Sequence, residues 1–225
     1  MPSFWSYIKN DKHAVGCTGQ TVYVYDHAGN ELARFKDIIY AYLPMFCPGQ
    51  NIFAVKSTNG RLAFYSLEKM QLLKKFRFSK YDAAQDNGCS FSKDGKYLYN
   101  IERHANGSTL CISTYETSTL NKVKQFFLPK NIHLYHIEYD DRGNLFVLGF
   151  MRDKNCSGFI ALLEDENLEK ITMLTPEKFN YIRDYKKLEM MGFTPKAKEW
   201  SSLKYNGYNL EKLEHVRLSD FINIL

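Results

Sequence analysis

Phe91-Ser92-Lys93-Asp94-Gly95-Lys96-Tyr97-Leu98 joins an aromatic residue to a β-prone run through a turn built on Asp-Gly. The aspartate can hydrogen-bond its own backbone, and the glycine supplies a left-handed conformation at no steric cost. The same order of aromatic, polar turn and strand-forming run recurs at residues 7–15, 46–53, 139–146 and 193–200. Its anchors, Tyr7, Phe46, Phe91, Tyr139 and Phe193, stand 39, 45, 48 and 54 residues apart. This is a loose period near the 40 to 50 residues typical of repeats that each fold as one small sheet.

Two strand-like runs separated by turn residues follow each of the first four anchors. Residues 22–26 pair with 31–35, 62–66 with 72–76, 111–116 with 122–126, and 159–164 with 168–171. Ala28-Gly29-Asn30 and Glu116-Thr117-Ser118-Thr119 supply the intervening turn chemistry. With the run that ends at the anchor and the run that follows it, each repeat predicts four antiparallel strands. A sheet of about 45 residues cannot bury both of its faces alone, so neighbouring sheets must pack face to face. The expected fold class is therefore all-β, a five-bladed β-propeller of four-stranded antiparallel blades, as a single domain over residues 1–225. The last blade is irregular: residues 188–193 and 199–205 match the first two strands, and 213–218 give one clear strand more. Either residues 4–8 complete that blade or the ring stays partly open. Thr175-Pro176-Glu177, followed by Phe179, Ile182 and Lys186, predicts a short helix between the fourth and fifth repeats.

Composition agrees with strands: Tyr and Phe number 16 each, residues suited to pleated surfaces. Five cysteines without a C-x-x-C pair point to reduced, buried thiols, with neither a disulfide framework nor a zinc site. The net charge of +5 is spread along the chain and does not demand a nucleic-acid partner. Residues 74–80, where Lys and Arg interleave with Phe, read as a solvated edge strand. No signal peptide or membrane-spanning run is visible, so a cytoplasmic protein without a membrane partner is expected.

The stretch at residues 91–98 resembles the aromatic-Ser-Pro-Asp-Gly-Lys turn that opens blades in WD-repeat-like β-propellers of the bacterial type. Residues 46–52 and 193–200 are weaker copies. Where that family places Trp-Asp, this chain has Tyr25-Asp26, Tyr65-Ser66, Tyr115-Glu116 and Leu163-Glu164. The resemblance implies a rigid binding platform.

An up-and-down meander gathers the loops between second and third strands at the same end as the connections between blades. Those segments present Lys56, Arg103 and Arg152 at matching positions, beside Asp37, Tyr40, Asp82, Gln85 and Asp86. Converging cations can hold a carboxylate or phosphate through forked donors. The same residues also serve as ordinary polar loop tips. The expected function is a non-catalytic module that binds a protein partner or a small anionic ligand, with no cofactor. The alternative is a carbohydrate-active hydrolase using central carboxylates from Asp37, Asp86 and Glu102. His133 and His136 lie three apart in a strand, an arrangement expected to point them to opposite faces and away from a shared metal.

Overall fold

The computed structural model describes residues 2–77, 88–103, 110–128, 132–139, 145–151, 158–164 and 167–173. Sixteen strands among them form four sheets. The first holds β1 (Ser6–Lys9), β2 (His13–Cys17), β3 (Val22–Asp26) and β4 (Glu31–Phe35), and the second β5 (Ala41–Phe46), β6 (Ile52–Ser57), β7 (Arg61–Ser66) and β8 (Gln71–Arg77). The third holds β9 (Cys89–Phe91), β10 (Tyr97–Arg103), β11 (Leu110–Glu116) and β12 (Asn121–Phe127). The fourth holds β13 (Ile132–Tyr139), β14 (Leu145–Met151), β15 (Gly158–Glu164) and β16 (Asn167–Met173). Each sheet is an antiparallel meander in chain order, so the all-β class and the four-strand repeat stand as read from the sequence. The expected fifth repeat and the helix near residue 176 lie outside the described residues.

Alternation along the inner strands gives the middle sheets two buried faces. Val15, Val22, Val24 and Phe35 of the first sheet pack with Phe53, Val55, Ala63 and Tyr65 of the second. The intervening residues of the second sheet, Ala54, Leu62 and Phe64, meet Phe91, Leu98 and Tyr115 of the third. Tyr99, Ile101 and Ile112 on the opposite face of the third sheet then meet Leu134, Ile137, Leu145 and Val147. The four sheets therefore form a row, each packed on the next.

One detail repeats without being legible in the sequence. The register slips between the third and fourth strands of every sheet, after Val24, Phe64, Thr114 and Leu163. Those slips fall at the four dipeptides beginning Tyr25, Tyr65, Tyr115 and Leu163. A residue of positive φ precedes the fourth strand in three sheets: Gly29 at +87°, Met70 at +47° and Leu120 at +53°. A turn, a left-handed residue and a bulge together match the hairpin to the strand twist. Met70 and Leu120 accept the backbone strain and pack their side chains on the inter-sheet cores.

Residues 4–8 do not wait for a last blade, because Ser6–Lys9 is the first strand of the first sheet, paired with β2. The alternation assumed for His133 and His136 also fails. Strand β13 shifts register between Leu134 and His136, and both Leu134 and Ile137 are buried although three apart. Among the described residues no group of three or more His, Cys, Asp or Glu could hold a metal ion.

The turn at residues 92–97 is held locally by its own side chains. Asp94 Oδ1 accepts from Ser92 Oγ at 2.7 Å and Lys96 N at 3.0 Å, and Ser92 Oγ accepts from Tyr97 N at 2.9 Å. The Lys96 amide, then the Ser92 hydroxyl, then the Lys96 side chain lower the Asp94 pKa from 3.8 to about 2. A carboxyl whose pKa drops on folding stabilises the fold above its unfolded value, and that contribution disappears as pH falls from about 4 to about 2. Asp94→Asn is accordingly expected to flatten the acid limb of a stability-against-pH curve in that window. Acid limbs of equal slope in the two proteins would show that the turn does not couple to folding.

Candidate functional site

Three segments meet at the end of the row where second strands pass to third strands. The β2–β3 loop turns at Gly19, with φ +87° and Thr18 N donating to Thr21 O at 3.0 Å. The connection from β4 to β5 pairs with it through Ala41 N to Gly19 O at 2.9 Å. The β6–β7 loop then ties down that connection, because Ser57 Oγ donates to Ile39 O at 2.7 Å and Thr58 N to Tyr40 O at 3.1 Å. Asn59, itself buried, donates its backbone N to Ser57 Oγ at 3.1 Å and so fixes the hydroxyl.

This rim holds Tyr40 at φ +54° with half of its surface exposed, at 51%. A left-handed backbone costs an L-residue about 1–2 kcal/mol, and a bulky side chain adopts it only where neighbours impose it. Ile39 beside it is 44% exposed. Trp5, 52% exposed, lies against Gly19, its ring 2.6 Å from where a Cβ on that glycine would stand. Gly19 in turn bridges to Ala41, the residue after Tyr40. Trp5, Ile39 and Tyr40 are thus three exposed apolar residues carried at this rim by one hydrogen-bonded frame.

The expected cationic centre is arranged differently. Lys56 is in β6 and wholly buried, on the face toward the third sheet. Its Nζ donates to Ile101 O at 2.6 Å and Gly88 O at 3.3 Å, which ties the second sheet to the third. Lysine next to Ser-Thr-Asn-Gly reads as a loop tip, but the long apolar stem lets it cross a seam between sheets. Arg103 is the last residue of β10, opposite Leu110 and partly buried. Asp37 is partly exposed on the same connection as Tyr40, and its carbonyl accepts from Lys75 Nζ at 3.0 Å. Asp82, Gln85, Asp86 and Arg152 lie outside the described residues.

Glu102, a carboxylate of the hydrolase reading, is 1% exposed in the seam between the second and third sheets. Its Oε1 accepts from Ser113 Oγ, Lys122 Nζ and Gln125 Nε2, and its Oε2 from Asn100 Nδ2 and Tyr115 OH. With five donors in place, this group is committed to the fold and offers no open oxygen to a substrate. Burial, with Glu102 adding to it, pushes the Cys111 thiol up to about 11, and burial pushes the Tyr115 hydroxyl up likewise. Both stay protonated near neutral pH, so neither is an activated nucleophile.

Sequence reasoning named Tyr40 and missed Trp5 and Ile39, although Ile38-Ile39-Tyr40 in a connecting segment was a visible signal. It also missed the network around Glu102. Leu98, Asn100 and Glu102 share one face of β10, so polar residues on a buried face were the available clue.

No protein-family model matches the chain, and no curated protein matches it. Among solved structures, it is similar to hydrazine synthase from Kuenenia stuttgartiensis, at 14% identity with a TM-score of 0.60. The likeness covers 75% of this chain and 52% of that one, so the chain spans about half the length of the protein it matches. Similarity at that identity is a statement about the fold alone, because unrelated functions share folds.

Proposed function

We propose that the chain is a five-bladed β-propeller acting as a non-catalytic interaction module, which captures a protein partner through the rim of Trp5, Ile39 and Tyr40. The repeat supports the propeller: four like sheets in a row, with a further copy of the anchor pattern at Phe193. The observation that carries the binding role is Tyr40, an exposed aromatic kept in a strained backbone by the neighbouring loop. Strain of this kind persists where the surroundings over-determine it, and it concentrates at binding sites. Large aromatic anchors on a preordered frame dominate protein interfaces. A partner with apolar anchor side chains fits this rim better than an anion, since Lys56 is spent inside the fold.

Tyr40→Gly separates the two roles of that residue. Glycine relieves the left-handed strain but loosens the unfolded chain, so stability should hold or rise by up to about 1 kcal/mol. Partner capture should fall at least tenfold, an effect of about 1.4 kcal/mol or more. A photo-crosslinking residue at position 40 should trap a partner in native lysate, whereas one at Lys69, on a turn at the opposite end of the second sheet, should not. Equal trapping at both positions, or full capture by Tyr40→Gly, would remove the rim from consideration.

A further inference from the structure

The fourth strand ends every sheet: β4, β8, β12 and β16 each pair with one neighbour, and their outer sides meet no other strand among the described residues. At five to seven residues they have the length of ordinary strands. An open edge of that length is a template for pairing with another chain. The bulges fall on these edges. Pairing passes from Ala33 to Glu31 in β4, from Lys74 to Leu72 in β8 and from Lys124 to Lys122 in β12, so Leu32, Leu73 and Val123 are the extra residues. In β16 it passes from Ile171 to Asn167. Leu32, Leu73 and Val123 are all large, apolar and exposed, and none belongs to the cores between the sheets. Three sheets thus set a residue with no ladder partner and an exposed side chain at the same place on the outer strand.

We infer that these bulges close the outer edges to strand addition by a second copy of this chain. An incoming strand finds its amides and carbonyls at every second residue, and an extra residue puts the groups on its two sides out of step. The longest stretches left in step are 33–35 in β4, 74–77 in β8 and 124–127 in β12, three or four residues each. Pairing between two strands that short is not stable in water. Lys74 and Lys75 on one edge and Lys122 and Lys124 on the next add repulsion between like edges. A bulge kept only to set the twist of its hairpin would leave the chain unfolded or loosened when removed. One that guards an edge leaves a folded chain that pairs with itself, and this difference separates the two roles.

Deleting Leu73 or Val123 from the full chain tests this directly. Each deletion restores an unbroken ladder and keeps the residues on either side on their present faces, since Leu72 and Lys74 already face opposite ways, as do Lys122 and Lys124. Both variants should keep a cooperative melting transition, and sedimentation equilibrium should show the dissociation constant for self-association lowered at least tenfold. A spin label carried on Lys75→Cys in the Leu73 deletion should show dipolar coupling between copies. Leu73→Ser, which keeps the extra residue and removes its apolar side chain, should sediment as the unaltered chain does. Folded deletion variants that associate no more than the unaltered chain would overturn the inference, as would equal association by Leu73→Ser. Should one deletion fail to fold, the other decides. Loss of folding in both would also overturn it, because the extra residue would then serve its own hairpin alone.

Discussion

Alanine at position 95 is expected to lower stability by about 3 to 5 kcal/mol, a loss on the order of 10 °C in melting temperature for a chain of this size. Gly95 has φ +70°, and a Cβ there would stand 2.2 Å from the carbonyl oxygen of Pro48 and 3.2 Å from Cys47 Sγ. The first contact is with backbone, which cannot rotate away, so the two sheets must separate or the turn must reshape. The Gly95 carbonyl also accepts from Thr117 Oγ1 at 2.6 Å, Gln50 Nε2 at 2.8 Å and Cys47 Sγ at 3.3 Å. Displacing the turn therefore disturbs the bond to Thr117 within the third sheet and both bonds to the second. Gly49 is the internal control: its φ is +66°, yet nothing lies within 4 Å of its Cβ position. Gly49→Ala should cost only the left-handed term, about 1 kcal/mol. Equal losses in the two variants, measured by urea denaturation, would show that the docked turn contributes nothing beyond its own backbone strain.

The same glycine marks how far the sequence could be read. Asp-Gly after an aromatic residue announces a turn because the requirement is local, and alternation with turn residues located β3 and β4 at their observed bounds. What each turn docks against is not local. Gln50 reaches Gly95 across 45 positions, and Lys56 reaches Ile101 across the same distance. Nothing in the pattern around Lys56 distinguishes a lysine at a loop tip from one whose stem lies inside a seam. Tyr40 was found because the connecting segments cluster at one end of any meander, whereas its strained φ depends on Thr58 and Ser57 in the following loop. The bulge shared by the four outer hairpins left no common residue type, since Tyr-Asp, Tyr-Ser, Tyr-Glu and Leu-Glu all occupy it. A backbone preference that several side chains satisfy is invisible to a motif.

Glu102→Ala is expected to be about as damaging as the glycine change, at about 3 to 5 kcal/mol, because it strips one partner from a buried, hydrogen-bonded ion pair. The two sides of that pair are unequal. Lys122 keeps 29% of its side chain in water and sits 5.4 Å from the centre of the Tyr115 ring, whereas Glu102 keeps 1%. Freed from its partner, the ammonium can swing outward and recover its hydration. The donors of Asn100, Ser113 and Tyr115 have no such exit, since those residues are buried in the seam. Each buried donor left without an acceptor costs about 1–3 kcal/mol. Lys122→Met should therefore cost less, about 1–2 kcal/mol, because the carboxylate retains four neutral donors and the new side chain still covers Tyr115. The predicted order, Glu102→Ala well above Lys122→Met, distinguishes a carboxylate that organises a polar network from one that merely answers a single cation. Equal destabilisation by the two changes, with a double variant no worse than either, would show that the ion pair alone holds the seam.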